Sequence, residues 1–184
     1  MNVFHCRQSI LYDGSQLRSH WLYEQFGLVG DTIAYFTGPC DVKPELVVDV
    51  VDRRYGHPIR AASMLHFICE HFDPDIGRAV LRQRLLVAVA YEALSQQAEA
   101  PVRREGDDLY IDGRKLSVAV ATVSPVSALI HFGVNIDPSG APVDAIGLAE
   151  LGVDAEELGE AIAHRYADEI RQVAAACCTV RWVR

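Results

Sequence analysis

Residues 102–137 read VRREGDDLYIDGRKLSVAVATVSPVSALIHFGVNID, and this stretch decides the fold. Asp112-Gly113 stands near its middle. Both residue types tolerate left-handed backbone angles, so the pair predicts a two-residue hairpin turn. Residues 102–104 start a strand, 108–111 continue or restart it, and 114–123 pair back. Residues 126–136 make a further antiparallel strand, which Asp137-Pro138-Ser139-Gly140 ends. Residues 116–136 contain no Asp, Glu, Lys or Arg, which is about the length needed to cross a bilayer. The interior of the stretch argues otherwise. It holds Ser117, Thr122, Ser124, Ser127, His131 and Asn135, and Val118 and Val120 alternate with small residues. Pro125 sits where a turn belongs. The pattern is that of two consecutive buried strands.

Working outward, residues 73–97 predict a helix with Asp73 as cap and Pro74 at the first helical position. Val80, Leu81, Leu85, Val89 and Leu94 would form its buried stripe. A strand at 63–72 precedes it, after an irregular polar stretch at 53–62. Residues 46–51 read as a short strand with apolar residues on both faces. Residues 32–36 read as another, stopped by Gly38-Pro39. Ser15 is placed to cap a helix through about Phe26, with Leu17, Trp21 and Leu22 on one side and residues 27–30 as its exit. A first strand over 3–12 ends at Asp13-Gly14. Near the other end, Asp154 and Glu157 form a capping-box pair for a last helix. Leu158, Ile162, Ile170 and Val173 line its inner side. Runs of strands flanked by a few helices predict an α+β layer fold over one domain, residues 1–184.

The chain has 184 residues, half of them apolar, enough for a substantial core. Its formal net charge is −8 and its pI about 5.3, a poor match to nucleic acid or an anionic membrane. A local basic pocket is compatible with that balance. Cys6, Cys40, Cys69, Cys177 and Cys178 form no C-x-x-C pair or spaced framework. The first residues lack the basic-then-apolar pattern of a signal peptide. Both observations predict free thiols in a reducing, cytoplasmic setting.

The order of a helix, the quoted strands and then GLAELGVDAEELGEAIAHRY resembles the core of the biotin protein ligases. In that family a K-W-P-N-D strand leads through a hairpin to G-R-K-L-A-G, then to a strand ending G-I-N. Here Arg104, Asp107 and Asp108 stand at the K, N and D. Lys115 stands at the catalytic lysine, and Gly133-Val134-Asn135 at the G-I-N. The lipoyl (octanoyl) transferases are similar, and His131 and Asn135 occupy places comparable to their H-G-x-A-x-N. This overlap covers roughly residues 82–169. Over its full length the chain resembles the family called domain of unknown function 366, through LYDGSQLRSHW, GPCDV and MLHFICEHFD. The resemblance implies an α+β, biotin/lipoate protein ligase-like (class II synthetase-like) fold, a mostly antiparallel sheet flanked by helices.

The departures bear on chemistry. The ligases wrap their acyl-adenylate in a glycine- and arginine-rich loop. The matching region, 53–62, has one glycine and three arginines. Backbone amides there are less able to cradle a phosphate, so the cofactor is left unassigned, with ATP an option that this loop disfavours. The transferases carry a nucleophilic cysteine before the final helix entry, and residues 140–147 have none.

Lys115 is the leading catalytic candidate. An ammonium at the entry of an apolar strand can stabilise an acyl oxyanion in a low-dielectric cleft. The ordinary alternative is a solvated lysine beside a turn. Asp107 and Asp108 are strand neighbours and point to opposite faces, so only one can face a given cleft. His131 and Asn135, four apart, share a face and could bond an acyl or amide carbonyl, or be satisfied core groups. Arg53 and Arg60 are candidates for anion binding. Of His66, Cys69, Glu70 and His71, no face offers three ligands, so no metal is assigned from this segment. The expected function is an acyl-group ligase or transferase-like protein binding a small acyl or heterocyclic ligand near Lys115. The rivals are a non-catalytic ligand-binding or regulatory domain and, less favoured, a metal-dependent hydrolase. The expected partners are a small-molecule ligand, an acyl-acceptor protein domain and a second copy through an edge strand.

Overall fold

The computed structural model describes residues 1–183. Asp112 and Gly113 both adopt left-handed angles, φ 51° and 78°. The turn therefore forms as its composition predicts, pairing Ile111 with Arg114 and Tyr110 with Lys115. The meander after it is not continuous. Strands β4 (Val102–Glu105), β5 (Asp108–Ile111) and β6 (Arg114–Lys115) form a small antiparallel sheet. Strands β7 (Ser117–Val123) and β8 (Ala128–Asp137) belong to a larger one. The break falls at Leu116, whose N–H bonds the Leu109 carbonyl at 2.8 Å while its carbonyl takes the Asn135 N–H at 2.9 Å. One buried residue thus serves two sheets.

The larger sheet has the order β1-β2-β3-β8-β7. Strands β1 (Asn2–His5) and β2 (Thr32–Val42) are parallel; the other neighbours, including β3 (Ile59–His71), are antiparallel. Strands β3 and β8 lie inside the sheet and are covered on both faces, which explains their near-absence of charge. The uncharged stretch 116–136 accordingly forms β7, a turn and most of β8, and no described helix is long and apolar enough to cross a membrane.

Gly38-Pro39 does not stop β2. A register shift between Gly38 and Cys40 carries the strand past the proline, which has no N–H to give the ladder. A Cβ on Gly38 would lie 2.0 Å from the Ile10 carbonyl oxygen, so residues 6–12 press against the bulge where only glycine fits. Residues 46–51 are not a strand either. Pro44–Leu46 is a 3₁₀ turn and α2 spans Val50–Tyr55. The Asp49 carboxylate accepts from the N–H groups of Val51 and Asp52, and this cap overrides the β-branched composition.

Helices α3 (Ile76–Ser95) and α5 (Ala155–Thr179) cover one face of the sheet. They pack on Ile33, Leu65, Phe67, Ile130, Phe132 and Val134. The N-terminal residues, with α1 (Trp21–Phe26), cover the opposite face over Ala34, Phe36, Met64 and Ile68. Helix α1 starts six residues later than Ser15, because the Glu70 carboxylate on β3 holds the His20 N–H at 2.9 Å. Asp75, not Asp73, caps α3 through the Arg78 N–H; the two residues before it are used in turning out of β3. The buried side of α3 runs through Ala79, Gln83, Leu86, Val87, Ala90 and Leu94. Of the expected stripe, Val89 and Leu94 are buried as well, whereas Val80 and Leu81 are exposed, because Ala79 and Gln83 hold the contact face in the first turns. Helix α5 starts as expected, with Asp154 accepting from the Glu157 N–H at 2.8 Å. Leu158 and Ile162 are buried, whereas Val173 is exposed in the final turns, where the whole helix is exposed. A short helix, α4 (Leu148–Leu151), leads into α5.

Candidate functional site

The hairpin and the break at Leu116 together fix Lys115. Its N–H bonds the Asp144 carbonyl and its carbonyl takes the Ile146 N–H, both at 3.0 Å. The Asn135 amide donates to the same carbonyl at 3.3 Å. The side chain is held too. Lys115 Nζ donates to Asp108 Oδ2 at 2.9 Å, and the Tyr110 hydroxyl donates to the same oxygen at 3.3 Å. The lysine and aspartate side chains are 32% and 25% exposed, so the pair is only partly screened by water. Burial first, and the Asp108 charge second, push the Tyr110 phenol up.

Lys115 lines a cleft of about 150 Å³. Its floor is the sheet, through Met64, Val118 and Asn135, with Ser117 beside them. Ala141, Pro142, Val143 and Ala145 form one wall. Asp52 of α2 and the residues from His57 to Arg60 form the other. The lining is therefore mostly apolar with a few polar groups at defined places, the composition of a small-molecule site. Its two fixed cations are each tied to an aspartate, Lys115 to Asp108 and Arg60 Nε to Asp41 at 2.7 Å.

The other candidates fall in different places. Asp107 is not on the strand with Asp108 but in the turn before β5, and it faces α3, where it accepts from Gln83 at 2.9 Å and meets Arg84 at 3.4 Å. Arg104 is exposed on β4 and donates to the Gly106 carbonyl. Arg53 is exposed on α2 and does not line the cleft. The structure thus brings Lys115, Asp108, Asn135 and Arg60 together and leaves Arg104, Asp107 and Arg53 outside.

His131 lies behind the cleft, at a second cavity of about 30 Å³. Its Nε2 is 3.1 Å from Nδ1 of His66, and its ring stacks on Tyr12 at 3.7 Å between centroids. Burial pulls the His66 imidazole down to about 4. Burial first, and the neighbouring His66 second, hold His131 well below the usual imidazole range. Both rings are therefore neutral near pH 7. Glu70 is occupied by the Ser127 hydroxyl at 2.7 Å and by His20. His71 lies between Asp31 and the Tyr166 hydroxyl. Among the described residues no group of three His, Cys, Asp or Glu side chains is placed to hold a metal ion.

Asp52, His57 and the 141–145 wall of the cleft, and Tyr12 of the cavity behind it, are not among the residues the sequence points to. Each reaches its place through tertiary packing, and no spacing in the sequence marks them.

A family model described as Domain of unknown function (DUF366) matches residues 1–181. An uncharacterized protein of Methanocaldococcus jannaschii is 35% identical over 180 residues, covering 94% of this chain and 81% of that protein. A solved protein of unknown function from Pyrococcus horikoshi superposes with a TM-score of 0.95 at 44% identity, over 100% of this chain and 99% of that one. The biotin protein ligase from Aquifex aeolicus, solved in complex with biotin and ATP, gives a TM-score of 0.60 at 15% identity, over 93% of this chain and 71% of the ligase. At that identity the likeness is one of fold, which is that of the biotin and lipoate protein ligases.

Proposed function

The chain belongs to the family described as Domain of unknown function (DUF366), and on that footing we propose that its cleft binds a small acyl or heterocyclic ligand as an acyl-group ligase or transferase does. The observation that carries the reading is the position of Lys115. Its backbone is fixed by three hydrogen bonds, its ammonium is oriented by Asp108, and it lines an apolar cleft beside Asn135. A preorganised cation in such a cleft stabilises negative charge that develops on an acyl oxygen, because nothing has to reorient during reaction. Asn135 has an amide to offer a carbonyl, and Arg60 supplies a second cation at the rim.

The acceptor in this reading is a protein domain. The 1–184 chain acts as one cytoplasmic unit that pairs with a second copy along the outer strand β7, which carries no charged residue to block pairing. The test is turnover of ATP with biotin, lipoate or octanoate, compared between the native chain and Lys115→Ala. Turnover that survives the substitution removes the catalytic role.

A second reading has its own support. Residues 53–62 form the end of α2, a turn at Gly56 and the start of β3, not a glycine-rich phosphate cradle. That favours a ligand-binding or regulatory domain of the same fold. Its signature is thermal stabilisation by one of the same ligands without turnover.

A further inference from the structure

The cavity behind the cleft has polar chemistry of its own. Its hydrogen bonding can be assigned from one fixed point: the Gly38 carbonyl, 3.2 Å from His66 Nε2, can only accept. His66 therefore carries its proton on Nε2 and presents a bare lone pair at Nδ1. That lone pair faces His131 Nε2 at 3.1 Å, so His131 donates from Nε2. The bare acceptor of the pair is then His131 Nδ1.

Neither this atom nor the Tyr12 hydroxyl has a hydrogen-bond partner among the described residues. Among those residues the one fully enclosed side-chain N or O without a partner is Arg82 Nη1. Tyr12 Oη and His131 Nδ1 are hence not fully enclosed, and both residues line the cavity. Its volume of about 30 Å³ has room for roughly two water-sized groups. Asp52, Ile59 and Val118 line both this cavity and the cleft, so the two adjoin at these side chains. His131 and Asn135 share a face of β8 and lie roughly 13 Å apart along it, the span of a medium-length acyl chain.

We propose that this cavity is the far end of the ligand site and takes a small, neutral, hydrogen-bond-donating terminus, a hydroxyl or primary carboxamide, on an acid whose carboxylate lies at Lys115. The inference rests on the binding reading above and adds the chemistry of the ligand's other end. A hydroxyl donates to His131 Nδ1 and accepts from Tyr12. An alkyl terminus displaces water from both atoms and returns nothing.

The test is calorimetric titration of the full chain with octanoate and with ω-hydroxyoctanoate. Tighter binding of the hydroxy acid by about tenfold, with the preference reduced to near unity in Tyr12→Phe and in His131→Phe, is the expected result. Tyr12→Phe keeps the ring stack and deletes one oxygen, so it carries the test if His131→Phe does not fold. Equal or tighter binding of octanoate by the native chain overturns the polar terminus and leaves acid binding intact. Failure of both acids to bind overturns the polar terminus and the binding reading together. Independently, ¹H–¹⁵N spectra of the histidine side chains are expected to show His131 protonated at Nε2. A proton on Nδ1 overturns the assignment of a bare acceptor.

Discussion

Replacing Lys115 by methionine separates a structural lysine from a functional one. Methionine keeps most of the aliphatic stem and deletes the ammonium. In the folded protein the loss is one hydrogen bond to Asp108 at 2.9 Å between side chains 32% and 25% exposed. A partly exposed pair of this kind contributes on the order of 1 kcal/mol. Asp108 also keeps the Tyr110 hydroxyl and remains in reach of water. The unfolding free energy of Lys115→Met, measured in urea, should therefore fall by about 1 kcal/mol or less. The effect on a bound carboxylate is larger. It loses a charge-assisted hydrogen bond in a largely apolar cleft, about 1.5–3 kcal/mol, or roughly 10- to 150-fold in Kd. Urea unfolding and calorimetric titration with octanoate, lipoate and biotin measure the two quantities on the same protein. A loss of stability above about 3 kcal/mol with affinity unchanged would refute the reasoning, because the ammonium would then be holding the fold and not a ligand.

The remaining predictions concern the frame around the cleft. Asp154→Ala removes the cap that accepts the Glu157 N–H at the start of α5 and should cost about 1 kcal/mol in chemical denaturation. Gly38→Ala puts a Cβ 2.0 Å from the Ile10 carbonyl oxygen and should cost about 3 kcal/mol, visible as a large fall in Tm. The two buried histidines predict a pH dependence. Their folded pKa values lie below the unfolded one, so the unfolded chain binds more protons in this range. Stability should be fully present above about 6.5 and fall as the pH drops toward about 4, with about 3 kcal/mol from His66. Denaturation midpoints that stay level across this window in the native chain, or fall as steeply in His66→Asn, would exclude this origin.

Local features were legible where a few neighbouring residues decide the outcome. The Asp112-Gly113 turn needs only left-handed angles at two positions, and the Asp154 cap needs only a side chain and an amide three residues on. Composition misled at residues 46–51. The valines there suggest a strand, but the Asp49 cap satisfies backbone amides locally and a short helix forms. It misled again in α3, where Ala79 and Ala90 face the core and Val80 and Leu81 face water. Helix α1 begins where a carboxylate fifty residues away holds an amide, which no local pattern reveals.

Of the candidate site, residue identity was readable and arrangement was not. Strand alternation predicts that Asp107 and Asp108 diverge, and they do, but because Asp107 lies in the turn before β5. It does not say that Asp108 orients Lys115 while Asp107 anchors a helix. By itself the sequence determined an uncharged pair of core strands, the hairpin before them and a lysine at their entry, because hydrophobic periodicity and turn chemistry act over a few residues. Only the tertiary structure decided that the chain changes sheets at Leu116, that Asp52, residues 57–60 and the 141–145 segment wall a cleft over Lys115, and that His66 meets His131. Those contacts join residues far apart in the chain, and they form only when burial of the whole sheet brings its two covers into place.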